Sequence, residues 1–185
     1  MLEIGRAESE SDLQGILELQ QKNLPQNITP EEKSEQGFVR VEHNLELLGL
    51  LNSIEAHVIA KDGNSVVAYI LAMTKKSRND VPMLIPMFHQ LDKLTYKGKL
   101  VSEYNYMVIG QVCIGKNYRG QGLFASCFEA YSAAFAKDYD FAITEISISN
   151  PRSIKAHQKA GFEIIHTFQD EFETWVIVVC DWNKK

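Results

Sequence analysis

Apolar and polar residues recur along this 185-residue chain with two different periods. A period of three to four residues predicts helices, and the strongest covers Gly122–Asp138, whose aromatic residues form one stripe that is typical of a face buried against a sheet. A period of two, or a short β-branched run, predicts strands. The predicted strands are Leu2–Arg6, His57–Lys61, Ser65–Met73, Asn105–Ile114, Ile143–Ser149, Phe162–Phe168 and Thr174–Cys180.

Polar residues that can cap a helix indicate where the other helices begin. Ser9 or Ser11 precedes a run with helical apolar spacing, and a second helix is predicted to start at Thr29-Pro30-Glu31-Glu32. A third helical stretch covers Asn44–Leu51, and a last helix is opened by Asn150-Pro151 and ended by Gly161.

The order of these elements, β-α-α-β-β-β-α-β-α-β-β, predicts an α/β chain of the α+β type, with a mixed sheet and helices on both faces. Asp62-Gly63-Asn64 predicts a tight hairpin, and Gly110 inside a strand predicts a bulge or a close backbone approach. Residues 74–102 hold two prolines and a predicted short helix. We interpret them as an insertion in a single domain that covers residues 1–185.

Composition and charge narrow the class of protein. A hydrophobic content of 45% is typical of a globular domain, and a net charge of −5 argues against a nucleic-acid or anionic-membrane partner. The three cysteines lie in apolar runs, which favours free thiols in a reducing compartment. The acidic N-terminal residues do not resemble a signal peptide, and no apolar run approaches the roughly 20 residues of a membrane span. We therefore expect a cytoplasmic protein.

The stretch KNYRGQGLFASCFEAY (Lys116–Tyr131) joins the apolar run Val112–Ile114 to the strongest predicted helix. Backbone N–H groups at a helix N-terminus are unpaired donors that bind phosphates, and Gly120 and Gly122 would let an anion approach closely. Neither the lysine of a Walker loop nor the third glycine of a dinucleotide-binding loop is present. Alone, this stretch is either a plain turn or an anion site.

A second motif, NPRSIKAHQKAGF, covers Asn150–Phe162, one predicted strand later. Together the two motifs resemble the GNAT N-acetyltransferase superfamily. Its pattern Q/R-x-x-G-x-G/A corresponds to Arg119–Phe124. Its pattern N-x-x-A/S-x-x-x-Y-x-x-x-G-F corresponds to Asn150, Ser153, His157, Gly161 and Phe162. The resemblance covers nearly the whole chain and implies a GNAT fold, with a mostly antiparallel central sheet that is splayed between its strands 4 and 5.

The resemblance also implies acetyl-CoA as the acetyl donor. Its pyrophosphate would bind the backbone of Arg119, Gly120, Gln121, Gly122, Leu123, Phe124 and Ala125, and its pantetheine arm would pair with Val112, Cys113 and Ile114. Asn150 and Ser153 complete the implied cofactor-binding set, although a capping role alone would explain Asn150. Phe124 departs from the family pattern, which has Gly or Ala at this position. The histidines show no metal-ligand spacing, so no metal is expected.

Two residues are candidates for proton transfer. His157 stands where the family has a tyrosine placed to protonate the departing thiolate; an imidazole could donate this proton, or His157 could be a structural residue. Glu145 lies where some peptide-acetylating members carry a glutamate that acts through water, or it is an ordinary strand carboxylate. Val108 occupies the position of the glutamate used by the histone-acetylating branch, so that route is not expected.

We expect direct transfer of an acetyl group to a primary amine of a small molecule or peptide within a ternary complex. The acceptor would lie among the early helices (about Glu31–Leu51), the insertion and the splayed strands, with Phe38, His43, Phe88 and Tyr96 as wall residues. The alternatives are a non-catalytic CoA-binding sensor or interaction module and, less compatible with the loop, a nucleotide-binding enzyme. By analogy, a homodimer could form if the late strand TWVIVVCDW offered an apolar edge.

Overall fold

The computed structural model describes residues 2–32, 39 and 41–183. Its longer helices are α1 (Glu10–Gln21), α2 (Leu45–Ile54), α3 (Ile85–Leu91), α4 (Leu123–Phe135) and α5 (Pro151–Lys159). Its strands are β1 (Leu2–Arg6), β2 (Val58–Asp62), β3 (Ser65–Met73), β4 (Thr95–Tyr96), β5 (Lys99–Leu100), β6 (Tyr106–Ile114), β7 (Phe141–Ser147), β8 (Glu163–Gln169) and β9 (Thr174–Asp181).

Side-chain caps fix the helix starts that the sequence predicts. The Ser9 hydroxyl accepts the N–H of Asp12, whose carboxylate accepts the Ser9 N–H, and this capping box opens α1. The Asn44 side chain accepts the N–H of Leu47 (2.8 Å), so α2 begins one residue after its cap. Residues 30–32 are helical behind Thr29, and the continuation of that predicted helix lies outside the described residues.

Within the described residues, the central sheet has seven strands in the order β1-β2-β3-β6-β7-β9-β8. The β6–β7 pair is parallel and the other neighbours are antiparallel, which confirms the mixed, mostly antiparallel sheet. Alternate residues of one strand face opposite sides, so Tyr69 packs in a cluster with α1 and α2, whereas Ala68 and Ile70 pack with α4. The insertion covers the β6, β7 and β9 part of the sheet.

A bulge interrupts β6 at the predicted glycine. Strand β3 pairs Leu71 with Gln111 and Ala72 with Ile109, which leaves Gly110 as the extra residue. A Cβ atom at position 110 would lie 2.5 Å from the Met73 sulfur, so glycine allows the close approach of the two strands.

Strands β6 and β7 separate beyond the first part of their shared ladder. Their parallel pairing ends at Val108 and Ile143, although the strands continue to Ile114 and Ser147. This gap between β6 and β7 confirms the predicted splay, because these two strands correspond to strands 4 and 5 of the family fold. It leaves one edge of each of the two strands open over the residues that carry the candidate site.

The position of β9 corrects one expectation about assembly. This strand lies between β7 and β8, so the prediction that TWVIVVCDW offers a free apolar edge for a homodimer is wrong. Strands β1 and β8 form the two edges of the described sheet.

Candidate active site

Two cavities adjoin at the gap between β6 and β7. The first has a volume of about 390 Å³ and lies against the glycine loop and α5; the second has a volume of about 600 Å³ and lies against β7, the β8–β9 turn and the insertion. Both are lined by Val39, Val112, Asn150, Ser153 and His157. The gap therefore connects two binding spaces, as a reaction between two bound molecules requires.

The first cavity is built around the glycine loop before α4. Gly120 and Gly122 have φ angles of +77° and +79°, in the left-handed region that favours glycine, and no atom within 4 Å would crowd a Cβ at either position. Gly122 is the N-cap of α4, where no side chain among the described residues provides a cap bond. The first-turn N–H groups of α4 have no acceptor within the helix, and the residues that carry them, Leu123, Phe124 and Ala125, line the first cavity. This arrangement fits a phosphate group.

The Arg119 side chain holds this loop in place. Its Nε donates to the Ile114 carbonyl (3.0 Å), its Nη2 donates to Asn23 Oδ1, and its Nη1 lies 4.0 Å from a Glu32 carboxylate oxygen. The guanidinium thereby ties the end of β6 to the segment after α1. Gln121 does not line either cavity, and its side-chain amide donates to the Asn117 carbonyl (2.8 Å).

Three cations on α5, none of them predicted as a site residue, line the first cavity. Arg152, Lys155 and Lys159 lie at positions i, i+3 and i+7, so one helix face turns all three toward the cavity. The three cations stand in the second motif, but basic residues with this spacing are also ordinary for a helix face exposed to solvent. Here their positive charge lies beside the glycine loop and complements phosphates.

Strand β6 presents main-chain groups to the gap. The Gly115 N–H donates to the Val67 carbonyl (2.8 Å), so Gly115, and with it Cys113, directs its backbone toward β3. Because these groups alternate along a strand, Val112 and Ile114 direct theirs toward the gap. Cys113 is buried, and this burial raises the pKa of its thiol to about 12. Its thiol is therefore protonated at neutral pH and is a poor nucleophile.

His157 is a neutral imidazole at the junction of the two cavities. Its Nδ1–H donates to the Ser153 carbonyl (2.9 Å), and its ring packs against Phe124 and Phe162. Burial lowers its pKa to about 4. With the proton on Nδ1, Nε2 can only accept a hydrogen bond, and it has no partner among the described residues. Of the two roles predicted for His157, this geometry favours the structural residue over the proton donor.

The second cavity contains the other predicted catalytic residue. Glu145 lies on β7 just past the last residue pair of the β6–β7 ladder, half-buried in the cavity wall. Beside it, the Thr144 hydroxyl donates to the Ile109 carbonyl (2.9 Å) and bridges the strands where they part. The structure thus brings Glu145 and His157 to one space, together with the open edge of β6.

The predicted acceptor wall does not match the structure. Phe88 is fully buried in the core, and the Tyr96 hydroxyl donates to carboxylates of Glu163 and Asp181. His43 is buried, with Nδ1 2.9 Å from Gln20 Oε1. None of these three residues lines a cavity, and Phe38 lies outside the described residues. The apolar insertion residues that do line the second cavity are Met83, Leu84, Pro86 and Met87.

The described part of the chain shows neither a metal-ligand cluster nor a membrane-spanning helix. It contains no group of three or more His, Cys, Asp or Glu side chains that could hold a metal ion. Over the same residues, no helix is long and apolar enough to cross a membrane.

Comparison with known proteins agrees with this fold. A sequence model of the Acetyltransferase (GNAT) family matches residues 13–162, and the chain therefore belongs to the GNAT acetyltransferase family. No match was found among curated proteins.

Solved structures show the same fold at low sequence identity. The ribosomal-protein-S18-alanine N-acetyltransferase from Escherichia coli superposes with a TM-score of 0.65 at 13% identity, over 100% of this chain and 96% of the other. An N-acetyltransferase from Staphylococcus aureus Mu50 gives 0.62 at 16% identity, over 99% of both chains. The NatC complex bound to Gag peptide and CoA contributes a chain with a TM-score of 0.63 at 12% identity, over 97% of this chain and 98% of that one.

Proposed function

We propose that this protein transfers the acetyl group of acetyl-CoA directly to a primary amine. The observation that carries the proposal is the pair of cavities that share Val112 and His157 at the gap between β6 and β7. One cavity offers backbone donors and cations for phosphates, and the other contains a carboxylate. Acetyl-CoA supplies an activated thioester, and the chain supplies its binding, its orientation and the removal of protons.

The described residues fit CoA along the first cavity. The first turn of α4 and the α5 cations would hold its phosphates, while the outward backbone of Val112 would hold the pantetheine arm in the gap. A backbone N–H in this position can also stabilise the oxyanion that develops on the acetyl carbonyl. Two residues, Asn150 and Ser153, line both cavities at the point where the arm would end. The Asn150 side chain accepts the Ser153 N–H (3.2 Å).

Glu145 is our proposed base, acting directly or through one water. An ammonium group must lose a proton before it can attack, and Glu145 lies in the wall of the cavity where the amine would bind. The amine then forms the C–N bond, the C–S bond breaks, and CoA leaves as a thiol. The second N–H proton can pass to the sulfur without His157, which we propose positions the reactants by packing and by accepting a hydrogen bond at Nε2.

Binding and turnover measured separately test this function. Calorimetry with acetyl-CoA and CoA should show binding, and thiol release should depend on a primary amine. Gly122→Val should weaken CoA binding at least about tenfold. A β-branched residue is strained at positive φ, and its side chain would cover the first-turn N–H groups that we propose bind phosphate. Gly63→Val is the matched control, since Gly63 also has a positive φ (+59°) and open space but lies in the β2–β3 turn. Failure to bind acetyl-CoA would overturn the proposal.

A CoA-binding module without catalysis is the second candidate. The observation that favours it is the neutral His157, which takes the place of a proton-donating tyrosine in the family motif. Such a module would bind CoA with the same dependence on Gly122 but would release no thiol with any amine.

A further inference from the structure

The second cavity has an unusually apolar mouth. Phe172 and Met83 have 89% and 60% of their surface exposed, more than any other large apolar side chain in the described residues, and both line this cavity. Single exposed apolar residues need no explanation, but two at the mouth of one cavity form a surface that a ligand could cover.

The walls behind this mouth continue the same chemistry. They come from two segments far apart in the sequence, the insertion and the β8–β9 hairpin. Their apolar side chains are Leu84, Pro86, Met87, Phe168 and Trp175. Cavities that bind small molecules are lined mainly by such groups, with a few polar groups that fix orientation.

The exposure of Phe172 follows from a well-bonded turn. One carboxylate oxygen of Asp170 accepts the N–H groups of Phe172 and Glu173, and its other oxygen accepts the indole N–H of Trp175, each at 2.8 Å. Asp170 thus holds both aromatic residues in the cavity wall. The three hydrogen bonds fix the backbone that carries Phe172 and the indole of Trp175, so the turn presents Phe172 at the cavity mouth.

The charges of the described wall residues have one sign. Their titratable side chains are Glu145, Asp170 and His157, and neither lysine nor arginine occurs among them. These described residues offer no cationic partner to a phosphate or a second carboxylate on the acceptor. An amine would enter a cavity of acidic and apolar character.

We infer that the acceptor is a primary amine with a bulky apolar group next to its amino group. The amino group lies toward Glu145 and the gap, and the apolar group lies between the insertion and the β8–β9 turn, against Met83 and Phe172. This inference rests on the proposed function. Free arylalkylamines and peptides whose first residue is apolar both present this chemistry.

The test compares matched acceptors by amine-dependent thiol release. We expect kcat/KM for 2-phenylethylamine and 3-methylbutylamine to exceed that for ethanolamine and spermidine at least roughly tenfold, because the polar amines leave the apolar wall unused. Two peptides that differ only in an N-terminal Phe or Ser form the second arm. A preference confined to the peptides identifies a peptide source, and one confined to the free amines identifies a small molecule.

Substitutions at the mouth locate the preference. The double variant Met83→Ser/Phe172→Ser should raise KM for the apolar acceptors roughly tenfold at nearly constant kcat, and it should leave ethanolamine unaffected. Both side chains are exposed, so folding should not suffer. Leu100→Ser is the control, because Leu100 is an exposed apolar residue that lines neither cavity.

Two outcomes separate this inference from the proposed function. If polar amines are acetylated as well as apolar ones, or if the double variant affects all amines equally, the inference fails and the acetyltransferase stands. If 2-phenylethylamine binds to the CoA complex in calorimetry but no amine releases thiol, the proposed function fails and the apolar cavity stands. If 2-phenylethylamine does not bind and no amine releases thiol, both the inference and the proposed function fail.

Discussion

The His157→Phe variant should keep its kcat for acetyl transfer within about tenfold of the wild-type value. Burial lowers the pKa of His157 to about 4, so roughly one molecule in a thousand carries the imidazolium at pH 7. In the neutral ring, the proton on Nδ1 is held by the Ser153 carbonyl at 2.9 Å. A residue in this state makes a poor acid, and we expect kcat to fall less than about tenfold, against the 10² to 10⁴ typical for loss of a general acid.

The variant should also fold. Phenylalanine can keep the ring contacts with Phe124 and Phe162. It loses the Nδ1–H bond, which contributes about 1 kcal/mol, but it removes the buried Nε2, whose unpaired state costs about 1–3 kcal/mol. Stability should therefore stay within about 2 kcal/mol of the wild type, or increase.

The assay is the pH dependence of kcat at saturating acetyl-CoA and amine, from pH 6 to pH 9, with CoA affinity measured in parallel. His157→Asn keeps a donor near Nδ1 and serves as a second variant, and the exposed His89→Phe is the control. A loss of at least about a hundredfold in kcat with unchanged CoA affinity, together with loss of an acidic group from the pH profile, would show that His157 is the acid and that its Nδ1 bond opens during turnover.

Three further predictions follow from other groups. Glu145→Gln should lower kcat at pH 7 by about 10² to 10⁴ without weakening CoA binding, because the amine loses its base, whereas the exposed Glu129→Gln should not. Mass spectrometry after incubation with acetyl-CoA alone should find no acetylated Cys113, since burial raises the pKa of this thiol to about 12; a stoichiometric adduct would contradict direct transfer. Acid should destabilise the fold: burial lowers the pKa of His43, His57 and His157 from 6.5 to about 4, so the unfolded chain binds more protons between these values. The stabilisation is complete above pH 6.5 and is lost as the pH falls toward 4. Each histidine should contribute a loss of about 2 kcal/mol between pH 7 and pH 5. Urea unfolding at both pH values measures the loss, and equal stability would contradict it.

The glycine loop and the helix start that line the first cavity could be predicted from the sequence because their determinants are local. The left-handed glycines, the helix start and the preceding strand lie within about 20 consecutive residues, and each has a direct signature in residue type. The same holds for Gly110, since a glycine inside a strand pattern indicates a bulge. What the pattern could not show is the direction of a side chain. Arg119 lies in the motif and lines the first cavity, but its guanidinium is bonded to the Ile114 carbonyl and to Asn23.

The lining of the second cavity could not be predicted because its residues come from distant segments and have no distinctive type. Phe88 and Met87 are neighbours on α3, and both are apolar and buried, yet Phe88 packs in the core and Met87 lines the cavity. Helical spacing separates the two faces of α3, but it does not reveal which face meets a cavity. Only the position of the insertion over β6, β7 and β9 decides this.

The same distinction explains why the motif histidine was a candidate proton donor as well as a candidate structural residue. Its position in the sequence gives the expected role, and imidazole chemistry near neutral pH makes that role reasonable. Its tautomer, however, is set by the Ser153 carbonyl one helical turn earlier, and its neutral state is set by burial against rings from α4 and from the residue before β8. Phe124, which departs from the small residue of the family pattern, is one of those rings. The two departures from the motif are therefore in contact: the larger residue at 124 packs against the imidazole at 157 and contributes to the burial that keeps it neutral.

A Phe124→Ala variant should for this reason raise the pKa of His157 toward its usual value, which NMR titration of the ring protons would detect. An unchanged pKa would show that the remaining wall alone keeps the imidazole neutral.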